Sequence, residues 1–357
     1  MKFHGNCLPT TIGSLPHSDA EESTHLVLRY TPQIPAWSQL PQLPNEGMLT
    51  QFNEGIPGLV SQGGRTYFFN EGLEFEEAVL KFYDDYESAT EGGSLTHLER
   101  FGISSEYASG LHAFLSILGS ISPSLFAIKG QITGPFTLGT SLTDKESRYA
   151  FYDPTLRDIV AKSMALKAKW QIKKFTPFGV PIIISIDEPS LVGYGSSTFI
   201  SVSKEDIQES LGEIISIIHS EGALAATHCC ENTDWALLMS TDIDILSFDA
   251  YGFFDNLIIY EKELNEFVKR GGIIAWGIVP THDPDVLSRQ TCETLVSRLD
   301  DNIQKLTAKG FESVKLLKQS LVTPSCGAGS LTPQLAEKAL ALTREISDRI
   351  ISEFNLQ

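Results

Sequence analysis

The sequence predicts an α/β protein built as a single (β/α)8 barrel of the TIM type, and three observations lead there. Short apolar runs rich in β-branched residues alternate eight times with stretches of helical period. Alternation of that kind implies parallel strands joined by helical crossovers. No glycine fingerprint follows the first run, which disfavours an open doubly wound sheet. Finally, the reactive residues fall where runs end, and in a barrel those ends share one face.

The runs, in order, are Pro9–Ser14, Ile34–Gln39, Leu125–Gly134, Pro181–Pro189, Ala223–Cys230, Asp244–Ala250, Gly272–Pro280 and Ser320–Gly327. Between them lie helical stretches with recognisable starts. "DPTLRDIVAKSMALKAKWQIKKF" opens on Asp-Pro. "SKEDIQESLGEIISIIHSEG" has Ser203 three residues before Asp206 and closes on glycine. "TPQLAEKALALTREISDRIISEF" is the last helix. Length alone suggests two domains, but barrels often exceed that rule, so residues 1–357 are expected to form one catalytic domain. The long gap at 41–124 reads as an insertion or lid, with helical pieces at "LEFEEAVLKFYDDYES" and "SSEYASGLHAFLSIL".

Composition excludes several classes. A net charge of -18 repels phosphate backbones, so nucleic acid is not an expected partner. No apolar run approaches the roughly 20 residues of a membrane span, and the N-terminus lacks a secretory pattern. Five cysteines are too sparse for a disulfide scaffold, so a cytoplasmic protein with free thiols is expected.

The run ends carry the chemistry. Gly13 and Ser14 end the first, Asp187 and Glu188 the fourth, His228 and Cys230 the fifth, Asp249 the sixth and Cys326 the eighth. Residues two apart on a strand share a face, so His228 and Cys230 aim together while Cys229 points away. One histidine and two thiolates form a known three-ligand zinc set, and soft thiolates favour zinc over magnesium or calcium. Packing is the alternative, since cysteine often behaves as a small hydrophobe. Of Asp187 and Glu188, adjacent on a strand, only one can reach the mouth. A carboxylate there suits a substrate ammonium or a base; an ion pair is the alternative reading. "TIGSLP" offers amides and a hydroxyl to a carboxylate, or is an ordinary turn. His17 and His282 follow strands and remain candidates for the mouth.

Together, "TTIGSLP", "ITGPFTLG", "IDEPSL", the H-x-C of "THCC", "LSFDAYG" and "TPSCG" resemble the catalytic domain of cobalamin-independent methionine synthase, in that family's order across nearly the whole chain. "HCCENTDW" followed by "DILSFD" is also similar to corrinoid-dependent thiol methyltransferases, and the wider superfamily includes the metal-free uroporphyrinogen decarboxylase. The resemblance implies zinc held by His228, Cys230 and Cys326, with Asp249 at the acidic ligand position where glutamate is usual. It implies that Ile12, Gly13 and Ser14 hold the amino-acid end of homocysteine and that Asp187 pairs with its amino group. A further substrate glutamate falls on Glu46 or Glu54. The full synthase carries a second barrel that helps hold a folate polyglutamate. With room here for one barrel, a methyl-corrinoid (methylcobalamin, free or on a corrinoid protein) is the expected donor. A folate nitrogen would need a proton as it leaves, for which His282 is the candidate. The expected reaction is therefore zinc-dependent methylation of homocysteine to methionine. Methylation of another thiol such as coenzyme M, or a metal-free decarboxylation, is the alternative.

Overall fold

The computed structural model describes residues 3–91, 95–120 and 125–356. Its strands are β1 (Leu8–Pro9), β2 (Leu59–Gln62), β3 (Arg65–Phe68), β4 (Ile128–Thr133), β5 (Ile182–Asp187), β6 (Leu224–Cys229), β7 (Ile245–Phe248), β8 (Ile273–Val279) and β9 (Ser320–Pro324). Seven form one curled parallel sheet in the order β1-β9-β8-β7-β6-β5-β4. β2 and β3 make a separate antiparallel hairpin. From β4 to β9, neighbours in sequence are neighbours in the sheet, as helical crossovers require.

Two of the expected strands come out differently. The first shrinks to a two-residue strand. The second, Ile34–Gln39, makes no ladder: it touches the rest through single parallel bridges, Ser14 to Gln39 on one side and Ala36 to Lys129 on the other. For the second, Pro35 has no N–H to give a ladder. What remains is a few backbone bonds, such as Gln39 N–H to Gly13 O at 3.1 Å and Lys129 N–H to Pro35 O at 3.0 Å.

Strand parity sets what faces inward. Ile183, Ala226, Ile245, Ala275 and Leu321 form a small apolar cluster inside the curl. The alternate residues, such as Ile184, Ala225, Leu246, Ile274 and Val322, join the large core shared with the helices. Both faces are thus buried, which is why these strands read as continuous apolar runs. The three helices read from their starts form at Pro154–Phe175, Lys204–Ser220 and Pro333–Phe354. Each is capped as its sequence dictates: Asp153 accepts from Thr155 N and Leu156 N, Ser203 from Asp206 N, and Thr332 from Leu335 N.

The described part of region 41–124 holds the β2–β3 hairpin and helices at Leu73–Glu91, Leu95–Glu99 and Ser109–Ser120. Its buried Phe52, Phe68, Phe82, Phe101 and Phe114 belong to the same apolar core as the sheet. Gly110 shows how close the approach is, since a methyl group there would overlap the Ser38 carbonyl. Gly110→Ala is therefore expected to destabilise the protein by about 1–3 kcal/mol in urea unfolding, the usual cost of overpacking. An unchanged midpoint would mean that this contact is not tight. Among the described residues, no helix is long and apolar enough to cross a membrane.

Candidate metal centre and substrate cleft

The same parity that buries Ile183 and Ala226 turns Asp187 and His228 inward four and two residues later, at the C-terminal ends of β5 and β6. Cys230 follows just beyond β6, and Cys326 just beyond β9. The ligand atoms of His228, Cys230 and Cys326 all lie within 4.8 Å of one another. His228 Nδ1 is 3.0 Å from Ser247 Oγ of β7, which fixes the ring. Its Nε2 is buried and has no hydrogen-bond partner among the described residues. Cys326 is held by Thr281, whose Oγ1 accepts from Cys326 N–H at 3.1 Å. The Cys326 thiol donating to the Cys230 sulfur, together with His228, outweighs burial and holds the Cys230 thiol well below its usual range. The same hydrogen bond and burial push Cys326 well up.

A cleft of about 260 Å³ opens beside this cluster. It is lined by Ile12, Ser14, Gln39, Glu46, Met48, Asp187, His228, Cys230, Cys326 and Gly327, among others. Gly13, between two of these, sits at φ 153°, where a side chain would also meet Gln39 and Gln131. Asp187 is buried, and Ser185 Oγ donates to its Oδ1 at 2.7 Å. Burial pushes its pKa up, while the charges of Lys129 and His228 pull against that shift. Glu46 comes from the 41–124 region. Its Oε1 accepts from Ser109 N–H at 2.9 Å, and its Oε2 is buried without a partner among the described residues. Glu54, the other glutamate considered, lines a different cavity and accepts from Ser104 N–H.

Asp249 stands apart from the three-donor group. Its Oδ1 accepts from Gly252 N–H at 2.7 Å and caps the helix Ala250–Leu257. Its Oδ2 is 4.0 Å from Nε2 of His282, which is exposed. The Asp side chain is one methylene shorter than the expected Glu and is engaged by its own helix.

Glu188 occupies the opposite face of β5 from Asp187. It is fully buried and accepts from Phe136 N–H, Thr137 N–H and Thr137 Oγ1 at 2.9, 2.7 and 2.6 Å. It satisfies the free amides at the start of the helix Pro135–Ser141. Burial raises its pKa from 4.5 to about 7, against the pull of those bonds. A raised carboxyl pKa contributes stability that is full below the unfolded value and is lost as pH rises through the folded one. Between pH 5 and 8 the wild type should therefore lose about 2 kcal/mol relative to Glu188→Gln. Paired urea titrations at the two pH values measure this, and a pH-independent difference would count against it.

Sequence reasoning did not single out Lys129, Ser185, Ser247 or Thr281. Lys129 had a signal, being the one charge in "LFAIKGQIT". It is buried and donates to Ile12 O at 2.7 Å. Burial lowers its pKa to about 8, offset in part by Asp187.

No curated protein matches this chain in sequence. Similar solved structures include two of the pneumococcal exo-β-D-N-acetylglucosaminidase StrH. They are 9% and 10% identical and cover 96% of this chain and 85% and 84% of their own, with TM-scores of 0.42 and 0.45. A glycoside hydrolase family 20 β-N-acetylglucosaminidase is 12% identical over 94% of this chain and 69% of its own, with a TM-score of 0.40. Likeness at that level says nothing about activity. The family model described as "Cobalamin-independent synthase, Catalytic domain" matches residues 109–349, more than half of the chain. Its cobalamin independence argues against the expected methylcobalamin donor and leaves a corrinoid-protein partner without support. Since the matched span carries the cleft residues from Asp187 to Cys326, the chain belongs to the family of catalytic domains of cobalamin-independent methionine synthase.

Proposed function

We propose that this protein methylates the thiol of homocysteine to give methionine, with a zinc ion held by His228, Cys230 and Cys326. The observation that carries the reading is the unpartnered His228 Nε2 beside two thiols, at the edge of a cleft with a buried carboxylate. One imidazole and two sulfurs within 4.8 Å suit a soft, four-coordinate ion that keeps one position open. Zinc, when bound, supplies acidity, so that the substrate thiol is present as a thiolate at neutral pH.

The chain's own residues do the rest. Asp187 takes the substrate ammonium, and the Ile12–Ser14 segment holds the amino-acid end. Glu46 contributes a second carboxylate from region 41–124, which we take as an insertion within one barrel domain. In this reading Ile34–Gln39 serves as an eighth, sparsely bonded strand that closes the barrel. With a corrinoid argued against, the donor is an N-methyl group of a reduced folate. The S–CH3 bond forms as the N–CH3 bond breaks, and the departing nitrogen must gain a proton. We assign that proton to His282, whose exposed ring lies with Nε2 4.0 Å from Asp249 Oδ2. Asp249 acts there rather than as a fourth ligand.

The test is direct. Zinc-loaded protein is given homocysteine and 5-methyltetrahydrofolate, and methionine is measured by mass spectrometry. Formation of methionine supports the reading. Methylation of coenzyme M with none of homocysteine would replace the acceptor, and no thiol methylation at all would end it.

A further inference from the structure

We propose that Lys129 is a positioning residue for the amino-acid end of the thiol site, an inference that rests on the function just proposed. Among the residues of the seven-stranded sheet, it is the only lysine or arginine. It stands level with Ile183, four residues before Asp187 on the neighbouring strand. An ammonium group buried there is costly unless paired and hydrogen-bonded.

Its partners are what matter. Lys129 Nζ donates to the main-chain oxygen of Ile12 at 2.7 Å, its one hydrogen bond among the described residues. That carbonyl leads straight into Gly13 and Ser14, and Ser14 lines the cleft. Gly13 lies in a backbone region that favours glycine, so the segment is held in a shape it would not keep unaided. The bond ties β4 to the segment after β1, two elements that share no ladder. Asp187 faces the same interior on the neighbouring strand, and the charge of Lys129 opposes the upward shift that burial gives that carboxyl. Both groups proposed to hold the amino acid therefore depend on one buried cation, which itself lines no part of the cleft.

The experiment measures thiol binding and needs no methyl donor. Cobalt(II) replaces zinc, and its thiolate absorption reports binding of homocysteine and of 2-mercaptoethanol, which lacks the amino-acid end. Lys129→Met should keep its metal content and bind 2-mercaptoethanol within about twofold of wild type, but bind homocysteine at least about tenfold more weakly. Lys129→Arg keeps a charged donor and should fall between. Unchanged homocysteine binding in Lys129→Met, or equal weakening for both thiols, would overturn the proposal. Should Lys129→Met fail to fold, Lys129→Arg carries the same comparison: selective weakening supports the role, and parity between the thiols overturns it. A wild-type protein that binds neither thiol would sink the function reading itself, and is distinguishable from every outcome above.

Discussion

Cys326→Ser is expected to strip the protein of its metal and its methyltransferase activity together. Purified wild type should hold about one zinc per chain, and the variant only a trace. Serine is nearly isosteric, so the fold should survive: Cys326 is only partly buried and its backbone is held by Thr281. The hydroxyl, however, is a hard and weakly acidic donor in place of a thiolate. Activity should fall by more than about a hundredfold, since disturbing even an outer partner of a ligand costs 10–100-fold. Ser247→Ala is such an outer change, because it frees the His228 ring. It should weaken zinc binding by about 10–100-fold and leave the three donors in place. Metal analysis after dialysis against a graded chelator series measures both. A Cys326→Ser protein with full zinc and full activity would return the cysteines to the packed core.

The second large effect is expected at Asp187. Asp187→Asn keeps the size of the side chain and removes its charge. A charge-assisted hydrogen bond contributes about 1.5–3 kcal/mol, so KM for homocysteine should rise by about 10- to 100-fold. If the carboxylate holds the ammonium equally in ground and transition states, kcat should stay within a small factor. Zinc content should not change, because Asp187 is outside the three-donor group. Coenzyme M has no ammonium, so its use as acceptor, if any, should be untouched by the change. Equal losses for both thiols would mean that Asp187 shapes the cleft instead of recognising the amino acid. Steady-state kinetics with each acceptor separates these outcomes.

How far the site was legible depended on the distance over which each residue's geometry is set. His228 and Cys230 could be paired from spacing alone, because the period of a strand is two and does not depend on anything distant. The same argument separated Asp187 from Glu188, and the structure puts them on opposite faces of β5. Glu46 and Glu54 could not be told apart, because both lie in irregular chain whose path is set by packing. Asp249 was named as a ligand only through the family resemblance, and the capping bond it accepts from Gly252 N–H could not be read from strand spacing. Lys129 was passed over because a lysine in an apolar run has no meaning until its partner, 117 residues away, is known.

By itself, then, the sequence determined the alternation of strands and helices from the third run onward, the opposed sense of Asp187 and Glu188, and the gathering of His228, Cys230 and Cys326 at strand ends. These follow from local periodicity and from the rule that parallel strands present their C-terminal ends together. Only the tertiary structure decided that Ile34–Gln39 would be a sparsely bonded segment and not a ladder strand. It alone chose Glu46 for the cleft and joined Lys129 to Ile12. Those outcomes depend on which backbone groups meet across the curled sheet. Sheet register and loop path set that meeting, and neither is written in the spacing of neighbouring residues.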